Sequence, residues 1–439
     1  MSTSTELKRR VCEAIEANAD RIIAIGETIW QNPELGFKEE KTARLVAEIF
    51  AELGLPHRTG IALTGVVGTM DSGRPGPNVA VMGELDSLNI PGAPHADPAT
   101  GAAHSCGHNA QIAEMLGVAI GLHASGVMSE LVGKVTFMAI PAEEYVEIEY
   151  RNGLRQQGKI EFLGGKQEFI RLGEFDQIDG AMMVHLANKV EGKPSVKVGG
   201  TSNGFLGKLV RFVGRPAHAA GAPEQGINAL SAATLALTAI NAQRETFRDD
   251  DHIRVHPIIT RGGDLVNIIP ADVRMETYVR GKTVPAIIDA NRKVNRAIRA
   301  GAMAMDAEVE ITEIPGYLPQ LPCDPLADLF RANATALVGA EEVADGGHGA
   351  GSSDVGDVSH LLPTIQPFYG AVEGRFHGED FQIVDKRMAY IEPTKAMAMT
   401  VVDLLADGGA KMNEIKAAFR PVYTRESYLK MWREVMSEA

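Results

Sequence analysis

The 439-residue sequence predicts an α/β protein in which a helix-flanked sheet domain is interrupted by a smaller α+β domain. Three observations lead there. Apolar strand runs ending in polar residues alternate with helical patterns in the first and last parts of the chain, as in a sheet covered on both faces. From about 195 to 317 this gives way, with a first strand run at 195–199 taken as peripheral, to the order strand, helix, strand, strand, helix, strand. The chain is also too long for one ordinary core. Residues 1–194 and 318–439 therefore read as one domain, and 195–317, roughly 125 residues, as an insertion of ordinary domain size.

The elements follow in order. Val11, Ile15, Ile22, Ile25 and Ile29 recur at helical spacing and predict one helix from Leu7 to Trp30, broken by Asn32-Pro33. A second helix covers Glu39–Leu53, and strands follow at Gly65–Thr69 and Asn78–Met82, the latter leading into Gly83-Glu84-Leu85-Asp86. A loop rich in Gly, Pro and Ala at 91–103 delivers His104-Ser105-Cys106-Gly107-His108-Asn109 to the start of an apolar helix. Lys134–Ile140 reads as a strand ending in Pro141-Ala142-Glu143-Glu144, then a charged segment, a helix near Lys166–Leu172 and a strand Ala181–Leu186.

In the insertion, strands are expected at 195–199, 205–213, His252–Thr260, Asn267–Val279 and Glu308–Ile314, with helices at Gly226–Ala242 and Val284–Met305. Helix Pro325–Val338, a polar loop at 346–357, strand Thr364–Tyr369 and helix Asp385–Leu405 complete the larger domain. The charged tail after Gly409 reads as a surface helix.

Composition narrows the function classes. A formal net charge of −14 argues against nucleic acid as partner. Cys12, Cys106 and Cys323 lie far apart and suggest no disulfide framework, which fits a reducing compartment. The first residues show no signal-peptide core, and no apolar run has the roughly 18 residues of a membrane span. The expectation is a cytoplasmic protein with a small-molecule substrate, no nucleic acid and no membrane partner.

Cys106 and His108, two positions apart at a helix start, can face one cleft, and thiolate plus imidazole is a ligand set of zinc-like metals. A buried cysteine beside a helix-capping histidine is the alternative. Glu144 at a strand end, His185 in the next strand and His377 on a late loop are further candidates; taken singly, His185 and His377 read first as structural or surface histidines. Together the five could hold two metal ions with positions open for water. Adjacent Glu143 and Glu144 divide naturally into an unligated base and a ligand. Asp86, also at a strand end, could orient a ligating histidine, bridge two metals, or simply cap a turn.

As a set, these residues resemble metallopeptidase family M20, and more closely its amidohydrolase branch, with hydrolases of hippurate, indole-acetyl-amino acids and aminobenzoyl-glutamate. The resemblance rests on Gly83–Asp86, Ser105–Asn109, Pro141–Glu144, Val184-His185, Gly214–Ala220, Asn267–Pro270 and Phe376–Gly378, in the family's order. It implies a metallopeptidase-type catalytic domain with a mixed sheet flanked by helices, interrupted by a ferredoxin-like α+β domain through which two copies form a homodimer. It implies Cys106, His108, Glu144, His185 and His377 as ligands of two divalent ions (Mn²⁺ or Zn²⁺, or Co²⁺), with Glu143 as general base and Asp86 beside them. It implies His218 as the oxyanion donor, and Asn267 with Arg280 as holders of a substrate carboxylate.

Three departures stand out. Asn109-Ala110-Gln111 replaces the Asp-x-His of many relatives. Tyr145–Arg151 replaces a glycine-rich run, and the stretch between Glu144 and His185 is longer than in the indole-acetyl branch. The expected activity is hydrolysis of the amide bond of a small N-acyl or N-aroyl amino acid, aminobenzoyl-glutamate-like, or of a dipeptide. The alternatives are a C–N hydrolase releasing ammonia from an activated aromatic amine, and a metal-binding protein without catalysis.

Overall fold

A computed structural model describes residues 3–437. The chain divides into two compact units. The larger holds residues up to Thr201, Leu321–Gly347 and Asp357–Arg425; the smaller holds Ser202–Gln320, His348–Gly356 and the segment from Glu426 onward. The sequence reading starts the insertion at 195, whereas Val196–Val198 pairs parallel with Val343–Asp345 inside the larger unit. The tail also differs from expectation. Its last helix, Arg425–Ser437, buries Tyr428 and Trp432, and residues from 426 on belong to the smaller unit.

The larger unit is built on a mixed six-stranded sheet in the order His57–Ile61, Gly65–Asp71, Lys134–Ile140, Asn78–Glu84, Gly180–Met182, Thr364–Ile365. The first two pairings are antiparallel and the last three parallel. Parallel strands covered on both faces read as unbroken apolar runs, and Val135, Phe137, Met138, Ala139 and Ile140 are all buried. Helix His108–Ser125 is buried through its first four turns, which explains why it lacks a polar face. The long N-terminal helix expected from periodicity is two helices, Thr3–Ala17 and Ala19–Trp30. Asn18 leaves helical geometry between them, and its side-chain amide donates to Ala14 O at 2.8 Å.

A second sheet of this unit takes Val343–Asp345, Val196–Val198, Phe368–Glu373 and Gln382–Ile383, with His185–Asn188 added along Phe368–Glu373. The single strands expected at 181–186 and 364–369 are therefore each split. Gly180–Met182 pairs with Thr364–Ile365 in the first sheet, and His185–Asn188 pairs with Phe368–Glu373 in the second. Both sheets bury these segments, so no change of pattern marks the crossing.

In the smaller unit, strands Arg254–Val255 and Ile258–Arg261 lie beside Asp272–Gly281, followed by Gly204–Val213 and Glu308–Pro315, all antiparallel. This is the ferredoxin-like order. Val210, Phe212, Val273, Met275 and Val279 form a core with helices Ala229–Ala242 and Val284–Met303. The helices approach closely because Gly301 has no Cβ; one placed there would sit 2.5 Å from Ala236 N. Asn228 and Thr283 cap the two helices, accepting from Ser231 N and Ala286 N. Among the described residues, no helix is long and apolar enough to cross a membrane.

Candidate metal centre

Five segments of the larger unit converge. Strand Asn78–Glu84 ends in Glu84 and turns through Leu85 to Asp86. The loop after Ala103 carries Cys106 to Gly107, whose left-handed φ of 93° starts the helix at His108. Strand Lys134–Ile140 ends in Pro141-Ala142-Glu143-Glu144, with Ala142 held at φ 58°, a costly conformation for a residue with a Cβ. Both backbone groups of Ala142 are clamped: its N–H donates to Glu39 Oε1 at 2.8 Å, and its carbonyl accepts from Arg151 Nη1 at 3.0 Å. His185 opens its strand at the crossing between sheets, and His377 N donates to Ser105 O at 2.9 Å, tying the last loop to the cysteine loop.

The sequence candidates meet here. Cys106 Sγ lies 3.4 Å from His185 Nε2. Three overlapping groups could each hold an ion: Cys106, His108 and His185; Cys106, Glu144 and His377; and Glu84, His108 and Glu143. Within each group the donor atoms lie within 4.8 Å of one another. His377 Nε2 is 3.4 Å from Glu144 Oε1. His108 Nε2 is 3.0 Å from Glu84 Oε2, 3.9 Å from Glu143 Oε2 and 4.0 Å from Glu144 Oε1.

Hydrogen bonds settle which ring nitrogens face inward. His108 Nδ1 lies 3.0 Å from Asp86 O and 3.3 Å from Asp86 Oδ1, and His185 Nδ1 lies 2.7 Å from Leu186 O. With Nδ1 of each ring turned to a carbonyl, both Nε2 atoms face the cluster.

The electrostatics call for a cation. Burial pushes the Cys106 thiol well above its usual range, and the Glu144 charge adds to this. Burial opposes a charge on His108, yet the Glu84 carboxylate and Cys106 hold its pKa well above the usual value. Burial also opposes the Glu144 charge, but hydrogen bonding and attraction to His377 hold that carboxyl down at about 2. Burial lowers His185. Glu84 Oε2 and His108 Nε2 are buried 3.0 Å apart without hydrogen-bond geometry between them. Sulfur, imidazole nitrogen and carboxylate oxygen converging with unpaired lone pairs suit divalent ions of the zinc group.

Several residues of the centre escaped sequence reasoning. Glu84 belongs to the cluster itself. Its place two residues before Asp86 was the available signal, but the strand continues through it and its chemistry looked incidental. Lys166 Nζ pairs with Glu84 Oε1, both fully buried. Nothing in the short helix Gly165–Leu172 marks that lysine as internal. Arg151, read as part of a charged run, is buried in helix Ile148–Gln156, with Nη2 3.9 Å from Asp86 Oδ2. Asp86 Oδ2 in turn accepts from Glu144 N at 2.9 Å, so Asp86 orients both His108 and the ligand loop.

The departures acquire physical roles. Gln111 Oε1 accepts from Glu84 N at 3.1 Å, and Asn109 Nδ2 donates to Gly26 O and to the Tyr390 hydroxyl at 3.2 and 3.1 Å. Both brace the centre from behind. The Tyr145–Arg151 run packs by cation contacts: Lys38 Nζ bonds Glu147 Oε1 at 2.8 Å and lies 4.1 Å from the centroid of the Tyr150 ring.

His218, Asn267 and Arg280 belong to the smaller unit. His218 is exposed, with Nδ1 accepting from Gly221 N at 2.9 Å, and Asn267 lies in an exposed loop. Arg280 is half-buried. Its guanidinium donates to His256 Nε2 at 3.1 Å and Ser352 Oγ at 2.9 Å.

Comparison with known proteins agrees with this construction. Residues 201–303 match the peptidase dimerisation domain of the M20 family. The Xaa-Arg dipeptidase of Mus musculus is 29% identical over 425 residues, covering 91% of this chain and 89% of its own. Two solved structures share the fold. The aminobenzoyl-glutamate utilization protein of Klebsiella pneumoniae has a TM-score of 0.69 at 19% identity, covering 90% of this chain and 99% of its own. A dinuclear metal-binding M20 peptidase of Bacillus subtilis has a TM-score of 0.63 at 20% identity, covering 89% of this chain and 99% of its own. With the inserted domain matched, a relative aligned over nine-tenths of the chain and the ligand cluster assembled, the chain resembles the M20 peptidases, and its homologues are hydrolases acting on amide bonds.

Proposed function

We propose that this protein is a metal-dependent amidohydrolase that cleaves the amide bond of a small N-acyl or N-aroyl amino acid or a dipeptide. The observation that carries the proposal is the buried pair Glu143-Glu144. Glu144 lies against His377, while Glu143 Oε2 stands 3.9 Å from His108 Nε2 at the edge of the same cluster. Cys106, His108, Glu144, His185 and His377 would hold one or two divalent ions (Mn²⁺, Zn²⁺ or Co²⁺), with Glu84 against His108 as a further carboxylate. When bound, such ions supply Lewis acidity toward a carbonyl oxygen and toward water.

The chain's own residues then divide the work. Glu143 takes a proton from the attacking water as the water oxygen bonds to the amide carbon. The same carboxyl gives that proton to the nitrogen as the C–N bond breaks, so acid and amine form with no net proton change. Asp86 keeps His108 in one tautomer. His218 is the proposed oxyanion donor, and Asn267 and Arg280 the proposed carboxylate-binding pair. Supporting this last role, Arg280 is already held in one orientation by His256 and Ser352. A homodimer through the smaller unit is supported by its exposed apolar residues Ile258, Leu265, Val266 and Ile268, near and along an edge strand.

The test is hydrolysis of a panel of N-acyl amino acids and dipeptides by the metal-loaded protein, with products identified by mass. Glu143→Ala should lower kcat by about 10²-fold or more, the usual scale of general-base loss. Turnover at the parental rate in that variant would exclude Glu143 as the base, and release of ammonia in place of an amino acid would replace the proposed reaction class.

A further inference from the structure

We infer that the smaller unit carries a second binding site, for a free aliphatic α-amino acid in its zwitterionic form. A pocket of about 280 Å³ lies between helix Val284–Met303, the strands under it and the last helix. It is small beside the ~300–1,000 Å³ of drug-sized sites. Its lining residues all belong to the smaller unit, and none is a ligand candidate of the metal centre.

The polar wall is built. Glu313 Oε1 accepts from Lys208 Nζ at 2.6 Å, Asn291 Nδ2 at 3.0 Å and Asn295 Nδ2 at 2.7 Å. All three bonds fall on one oxygen of that carboxylate. They leave Glu313 Oε2, Asn291 Oδ1 and Asn295 Oδ1 buried with no hydrogen-bond partner. Three unmet acceptors in a buried wall carry a desolvation cost that only N–H or O–H donors relieve. Lys208 neutralises Glu313, so the wall has no net charge, and an ammonium group brings three donors for three acceptors.

The rim and the remaining walls specify the rest of the ligand. Arg292 and Arg299, seven residues apart on the same helix, line the pocket, are exposed, and have no ion-pair or hydrogen-bond partner among the described residues. They suit a carboxylate. Glu434, also lining, is 3.7 Å from Lys430 and so is partly neutralised. Leu206, Ile288, Met431 and Val435 provide apolar surface for a branched side chain. Ammonium, carboxylate and aliphatic side chain together describe leucine or a close relative.

The probe is L-leucine, titrated calorimetrically into the full-length protein, with 4-methylpentanoate and 3-methylbutylamine as analogues lacking the ammonium or the carboxylate. The expected result is saturable binding of one leucine per chain, weakened about tenfold or more in both analogues and in Arg299→Ala, each having lost a charged contact. Arg299 is on the surface, so this variant should fold and keep the hydrolytic rate of the parent. Asn295→Leu should likewise weaken binding. Absence of saturable binding, with water alone filling the pocket, would overturn the inference. So would unchanged affinity in Arg299→Ala, which is also the result expected if leucine bound at the metal centre.

Discussion

Lys208 shows how much one residue of this chain can carry unseen. In the strand Gly204–Val213 it alternates in phase with Val210 and Phe212, so its ammonium is directed into the helix-covered face. Burial lowers its pKa to about 8, against the opposing pull of Glu313. Between that value and the ordinary lysine value near 10.5, the unfolded chain holds a proton that the folded chain has released. Stability from this group therefore rises with pH across that window and is constant below it. Urea unfolding at pH 7.5 and pH 10 should show the wild type gaining on the order of 2 kcal/mol relative to Lys208→Met. A difference between the two proteins that stays flat with pH would show that the ammonium is not strained by burial. Nothing in the sequence marks this lysine, because a cation in a strand normally points to water. Lys166 and Arg151, on helices, are unmarked in the same way. Cys106, His108, Glu144, His185 and His377 were legible because their side chains are chemically uncommon in such places.

Elements were legible where their pattern depends on one partner. The insertion's helices and strands follow from alternation over a single core, and the structure moves their ends, starts the strand expected at Asn267 only at Asp272, and divides that expected at His252–Thr260 into Arg254–Val255 and Ile258–Arg261. The helix expected from Gly226 begins at Ala229, because Asn228 supplies its side-chain oxygen to Ser231 N at 3.0 Å. Asn228→Ala should cost about 1 kcal/mol of stability, the usual value for a lost cap, as read from chemical denaturation. No measurable loss would mean that Ser231 N finds another acceptor. Patterns failed where two surroundings are equally apolar. Ala181–Leu186 and Thr364–Tyr369 each pass from one buried sheet to another, and hydropathy carries no record of the step. Strand His57–Ile61 was missed for the opposite reason, being largely exposed through Arg58, Thr59 and Gly60.

At the scale of the molecule, the ligand candidates come from segments near 84, 106, 144, 185 and 377, so an ion would join parts of the larger unit that are remote in sequence. Prolonged chelation should lower the melting temperature, and readdition of Zn²⁺ or Mn²⁺ at 100-fold its Kd should restore on the order of 5 °C, from about 2.7 kcal/mol of linkage. Identical melting of verified metal-free and reloaded protein would show that the cluster does not take up an ion in the folded state.

The crossing strands also have a temporal consequence. His185–Asn188 finds its partner only in Phe368–Glu373, and His377 follows that strand directly. During synthesis, a nascent chain has therefore made more than four-fifths of its length, including the inserted segment Ser202–Gln320, before the second sheet can close. The smaller unit's central segment can fold on the ribosome as a unit in its own right. The centre cannot be completed until the chain beyond residue 377 has emerged, which would make ion capture a late event in the life of the new protein.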